Sequence, residues 1–83
     1  MRKEGVWAVE SDRITAFFQE QPGAVPMESG FVFPGCRVSV SALNSRRMAG
    51  LALPQTRVVF EGEDAAVSAV YRLFLLRFLS AGG

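Results

Sequence analysis

The stretch Glu63–Gly83, EDAAVSAVYRLFLLRFLSAGG, decides what kind of fold this chain can adopt. Glu63 and Asp64 place negative charge where a helix dipole is positive, and the closing glycines supply a stop, so the pattern predicts one long helix. At 100° per residue, Val67, Val70, Tyr71, Phe74 and Phe78 fall within an arc of about 100°, the width of a core-facing stripe. Leu73, Leu75, Leu76 and Leu79 lie outside it, together with Ala65, Ala66 and Ala69. Only Ser68, Arg72, Arg77 and Ser80 interrupt that second surface. A helix apolar almost all round needs cover on more than one side. One sheet covers one side. The remainder is expected from the first helix of the chain, from a second copy, or from both, and a dimer through Leu73, Leu75, Leu76 and Leu79 is the simplest closed form.

Working back from the helix, TRVVFEG (56–62) reads as its preceding strand, with Val58 and Phe60 on one face and Arg57 and Val59 on the other. CRVSVSAL (36–43) alternates cleanly: Val38, Val40 and Ala42 face one way, Arg37, Ser39 and Ser41 the other. Between the two, NSRR (44–47) reads as a turn into MAGLAL, and Pro54 as an interruption. AVPME and FVF, separated by Ser29-Gly30, suggest a hairpin with Pro26 at an edge or bulge. Pro34-Gly35 marks a further turn.

Near the start, SDRITAFFQEQPG (11–23) predicts a short helix. Ser11 suits the cap, Asp12 the positive end, Pro22-Gly23 the stop, and Ile14, Phe17 and Phe18 form a single stripe. Alternation of Ile14, Ala16 and Phe18 keeps a strand open as the rival reading. GVWAVE (5–10) is a short strand or an extended lead-in. The architecture expected is one α+β domain over residues 1–83: an antiparallel sheet of three or four strands, with a short N-terminal and a long C-terminal helix on one face.

Composition narrows the chemistry. Of 83 residues, 49% are hydrophobic and 20% charged, too apolar for a disordered chain. A surplus of apolar surface in so small a domain again points to self-association. The chain has no histidine and one cysteine, which removes histidine-assisted nucleophilic catalysis, a disulfide framework and a thiolate metal site. No glycine-rich phosphate loop opens the long helix; GEDAAV brings acids there instead. The expectation is a non-enzymatic protein with no cofactor and no bound metal. Cys36 shares the parity of Val38 and Val40, so it reads as a buried structural thiol despite the neighbouring Arg37. The start of the chain shows no signal peptide, and Ala65–Leu79 carries two arginines and falls short of the ~20 apolar residues of a membrane span. A soluble, cytoplasmic protein is expected.

One surface stands out by charge. The net charge is only +1, yet residues 36–60 hold Arg37, Arg46, Arg47 and Arg57 and no acid. Arginines and serines on one strand face suit an acidic protein or a small anionic ligand such as a nucleotide phosphate. The low net charge, and the lack of aromatics among these arginines, argue against nucleic acid.

The ending Ala81-Gly82-Gly83 resembles the tail of the ubiquitin-like sulfur carriers, small bacterial proteins whose terminal glycine is adenylated and converted to a thiocarboxylate. The resemblance implies a carrier function at Gly82-Gly83. It also implies a tail leaving a final β-strand and a main helix in mid-chain. The residues themselves instead put the long helix directly before the glycines, where they read as its stop. The main reading is therefore a self-associating binding module, with the sulfur carrier and an anion-binding module as alternatives.

Overall fold

The computed structural model describes residues 1–82, with side chains through Leu79. The chain runs β1 (Arg2–Trp7), α1 (Ser11–Gln19), β2 (Val25–Met27), β3 (Gly30–Phe33), β4 (Cys36–Met48), β5 (Leu51–Gly62) and α2 (Asp64–Gly82). The five strands form one antiparallel sheet in the order β1-β5-β4-β3-β2. Strands β2 to β5 make a meander that returns to pair with β1, while α1 carries the chain from one edge of the sheet to the other.

The α+β class, the two helices and their common face follow the sequence reading; the strand count does not. GVWAVE is more than a lead-in. Residues from Arg2 to Trp7 pair with β5, Trp7 opposite Thr56 and Arg2 opposite Glu61. Its signal was weak in isolation because an edge strand with one buried face carries few apolar positions. The hairpin at Pro26 is present, and β2 is the opposite edge of the sheet, where a missing amide costs no ladder bond.

A second correction concerns NSRR. Asn44 to Arg47 do not turn the chain but continue β4, which pairs with β5 as far as Met48 opposite Leu51. The register slips between Leu43 and Arg46, where Asn44 and Ser45 stand against the single residue Pro54. Such a bulge is where a strand tolerates proline. The turn itself is Ala49-Gly50, with φ of 52° and 81°. Positive φ at both central residues is the two-residue hairpin geometry whose twist matches that of the flanking strands. Beyond Ser41, β4 has lost β3, and beyond Thr56 toward the tip β5 has lost β1. The two strands therefore leave the domain as a free arm, with residues 41–52 all exposed. The molecule measures 42 × 23 × 20 Å.

One apolar core fills the space between the sheet and both helices. Six of the seven phenylalanines are buried there, and the other, Phe17, packs against them. Phe18 of α1 lies parallel to Phe74 of α2 at 5.6 Å and meets Phe31, Phe33 and Phe60 of the sheet. Ring contacts of this kind add about 0.5–1.5 kcal/mol each beyond area burial. Residues 11–19 are a helix with one buried stripe: Ile14 and Phe18 have no exposed surface, while Ala16, which the strand reading put on the same face, is exposed. Its cap differs from expectation: Glu10, not Ser11, holds the N-cap position, and its carbonyl accepts from the Arg13 and Ile14 amides.

The passage from β5 into α2 depends on Gly62, whose φ is 146° and where a Cβ would lie 2.1 Å from the Gly35 carbonyl oxygen. Only glycine fits both demands. From there α2 crosses β5, β1 and β4, and Val67, Phe74 and Phe78 are fully buried. The predicted core stripe is thus the one observed, with Tyr71 half-buried at its margin.

Candidate interaction surfaces

The leucines set apart in the sequence divide in two. Leu75 is half-buried and packs against the core. Leu73, Leu76 and Leu79 are 47%, 72% and 64% exposed. Helix α1 therefore does not cover the back of α2; it packs on the sheet beside it, over β3 and β4. The physical reason is the topology. Both helices compete for the same sheet face, so they lie side by side and each keeps an outward surface.

The four arginines are not a single group. Arg57 is ion-paired to Glu4, which also holds Arg2 at 3.0 Å, and Arg2 approaches Glu61 at 3.8 Å. Arg37 stands directly across from Glu61 in the β4–β5 register. On the sheet face turned away from the helices, cation and carboxylate therefore alternate across strands. Such exposed pairs contribute roughly 0–1 kcal/mol each, but they balance the local charge. Arg46 and Arg47 lie on the arm opposite Leu53 and Ala52, and as consecutive strand residues they project to opposite faces. Among the described residues neither makes an ion pair. Their positive charge is open to solvent, beside the exposed Met48 and Leu51 of the tip.

Cys36 is buried at the start of β4, as its parity predicted. Burial pushes its thiol above the ordinary range, and a backbone hydrogen bond from Glu61 offsets this only in part. It borders a cleft of about 360 Å³ formed with Val32, Arg37, Glu61 and Gly62. A thiol held in its neutral form is a poor nucleophile. Among the described residues there is no group of histidine, cysteine and carboxylate side chains able to hold a metal ion. No helix among them is long and apolar enough to cross a membrane.

Sequence reasoning missed the arm. Its signal was present in Ala49-Gly50, a two-residue turn between Met48 and Leu51, but the polar run NSRR looked more like a turn than the small pair that makes it. It also missed the buried hydroxyl of Thr56, which donates to the Val9 carbonyl at 2.6 Å and ties the end of β1 to the sheet.

These features define a small α+β domain with three open surfaces: an outward helix back, a basic arm and a charge-balanced sheet face. The chain belongs to the archaeal MoaD-like protein family, whose profile matches residues 6–83. No curated protein matches it significantly. The match covers both helices, all of the meander and the terminal glycines. The carrier resemblance implied a tail leaving a β-strand; here α2 runs to Gly82, and Gly83 lies outside the described residues.

Proposed function

We propose that this chain is a non-enzymatic binding domain serving MoaD-like sulfur-carrier chemistry, acting by docking rather than by catalysis. The observation that carries this reading is the placement of α2. It is the last element, its inner stripe closes the core, and its outer leucines are left open. In a ubiquitin-like carrier the reactive glycines need an extended tail that can enter an activating enzyme. Here α2 continues to Gly82, so the residue before Gly83 is helical rather than extended. The family relation supports the chemical setting, and the open surfaces support docking as the mode of action.

The reading is tested by incubating the protein with an activating enzyme of the sulfur-carrier type, ATP and a sulfur donor, then weighing the intact chain. A binding domain keeps its mass. A carrier gains the mass of one oxygen-for-sulfur exchange.

One observation favours that second outcome: the family match extends through Gly82-Gly83. As a carrier, the Gly83 carboxylate would attack the α-phosphorus of ATP and release pyrophosphate. Sulfide delivered by the donor as hydrosulfide would then attack the acyl carbon, breaking its bond to AMP and leaving a thiocarboxylate. Unwinding of the last turn of α2 would have to precede adenylation, and truncation of Gly82-Gly83 would abolish it.

A further inference from the structure

The exposed back of α2 has an order that its leucine content alone does not show. Ala65, Ala69, Arg72, Leu76 and Leu79 succeed one another at intervals of four, three, four and three residues. This is the spacing by which one helix can pack lengthwise against another. All five are exposed. The seam is small at its beginning and large at its end, so it accepts a helix with the opposite taper.

Charge selects the occupant. Between Ala65 and Leu79 the helix has two arginines and no carboxylate. Its β1 flank carries Lys3, which sits over the Tyr71 ring. On its α1 flank, Arg77 shares a cleft with Arg13 and Glu20, so that side is net positive as well. The acids nearest in sequence, Glu63 and Asp64, precede the seam. Arg72 lies within the seam. In the antiparallel register that sets the small end of the seam against the large end, a second copy would place Arg72 against its own counterpart, two like charges desolvated together, which is costly. A helix bearing a carboxylate at that point would satisfy it with a charge-assisted hydrogen bond.

We propose that the back of α2 is a docking seam for an amphipathic helix of a different, acidic protein, with a carboxylate of that helix seated against Arg72. This rests on the binding reading above and names the chemistry of the partner. The leucines give the contact its area and Arg72 gives it selectivity, because a mismatched charge there is rejected.

The test uses the full chain and two synthetic helical peptides with the same leucine-and-alanine seam, one with a glutamate at the position facing Arg72 and one with a lysine. Fluorescence anisotropy should show binding of the glutamate peptide, weaker by about tenfold or more at high salt. Leu76→Glu should abolish it. Arg72→Glu should reverse the preference toward the lysine peptide, with circular dichroism confirming that both variants keep the fold. Absence of binding, or equal binding of the two peptides, overturns the proposal. So does a wild-type dimer in sedimentation equilibrium that Leu76→Glu converts to monomer, because the seam would then belong to a second copy. Thiocarboxylate formation at Gly83, read by mass, would overturn the binding reading on which the seam rests, whereas the anisotropy outcomes test the seam itself, so the two failures are distinguishable.

Discussion

The Thr56 hydroxyl donates a 2.6 Å hydrogen bond to the Val9 carbonyl, and both residues are buried. The bond joins the middle of β5 to the link between β1 and α1, two segments far apart in the chain. It fixes where the chain leaves the edge strand and therefore how α1 enters over the sheet. Thr56→Val keeps the shape and deletes the donor, leaving the buried carbonyl unpaired. The expected cost is about 1–3 kcal/mol in urea unfolding. Thr56→Ser should retain more of the stability than Thr56→Val; the reverse order would show that packing of the methyl, not the hydroxyl, matters there.

Two positions on α2 separate its faces. Phe74 is fully buried and contacts Trp7, Phe17, Phe18, Phe60 and Phe78. Phe74→Ala should cost about 3–5 kcal/mol. Leu76, at 72% exposed, should change unfolding by no more than about 0.5 kcal/mol when replaced by alanine in the isolated chain. A large stability loss for Leu76→Ala that grows with protein concentration would instead reveal self-association through this face.

Ala49 occupies left-handed backbone at φ 52° in a turn that otherwise follows glycine geometry. A Cβ there costs about 1–2 kcal/mol. Ala49→Gly, and to a lesser degree Ala49→Asn, should tighten the tip of the arm, read as slower amide exchange over residues 46–53. Ala49→Val should have the opposite effect and speed exchange in the arm without altering the core.

Cys36 links burial to pH. Its thiol is raised in the folded protein, chiefly by burial. The unfolded chain therefore loses this proton first as pH rises. The contribution of the neutral buried thiol is fully present below the ordinary thiol range. It is lost as pH climbs from that range to the raised folded value. Stability should fall over this alkaline window, and Cys36→Ala should flatten the decline. In the native protein at neutral pH, Ellman's reagent should react slowly with Cys36 and rapidly once the chain is unfolded; fast native labelling would contradict the burial.

Much of the scaffold was legible because its signals are local. The inner stripe of α2, the stripe of α1, the alternation of Val38 and Val40, and the edge position of Pro26 all follow from short spacings and backbone chemistry. The candidate site was legible only by composition: the outer leucines and the arginines of 36–60 were identified, but not their separate fates. Leu75 turned partly inward because its angle lies at the border of the core arc. Arg57 met Glu4 because β1 and β5, distant in the chain, are neighbours in the sheet.

By itself, then, the sequence determined the two helices, their buried faces and the absence of histidine chemistry, since each depends on residue type and near-neighbour spacing. Tertiary structure decided the rest. Strand pairing sets how far β4 and β5 outrun their neighbours, and so creates the arm. Register sets which arginine meets a carboxylate. The sharing of one sheet face by two helices leaves Leu73, Leu76 and Leu79 open. Each is a long-range geometric outcome that no window of neighbouring residues contains.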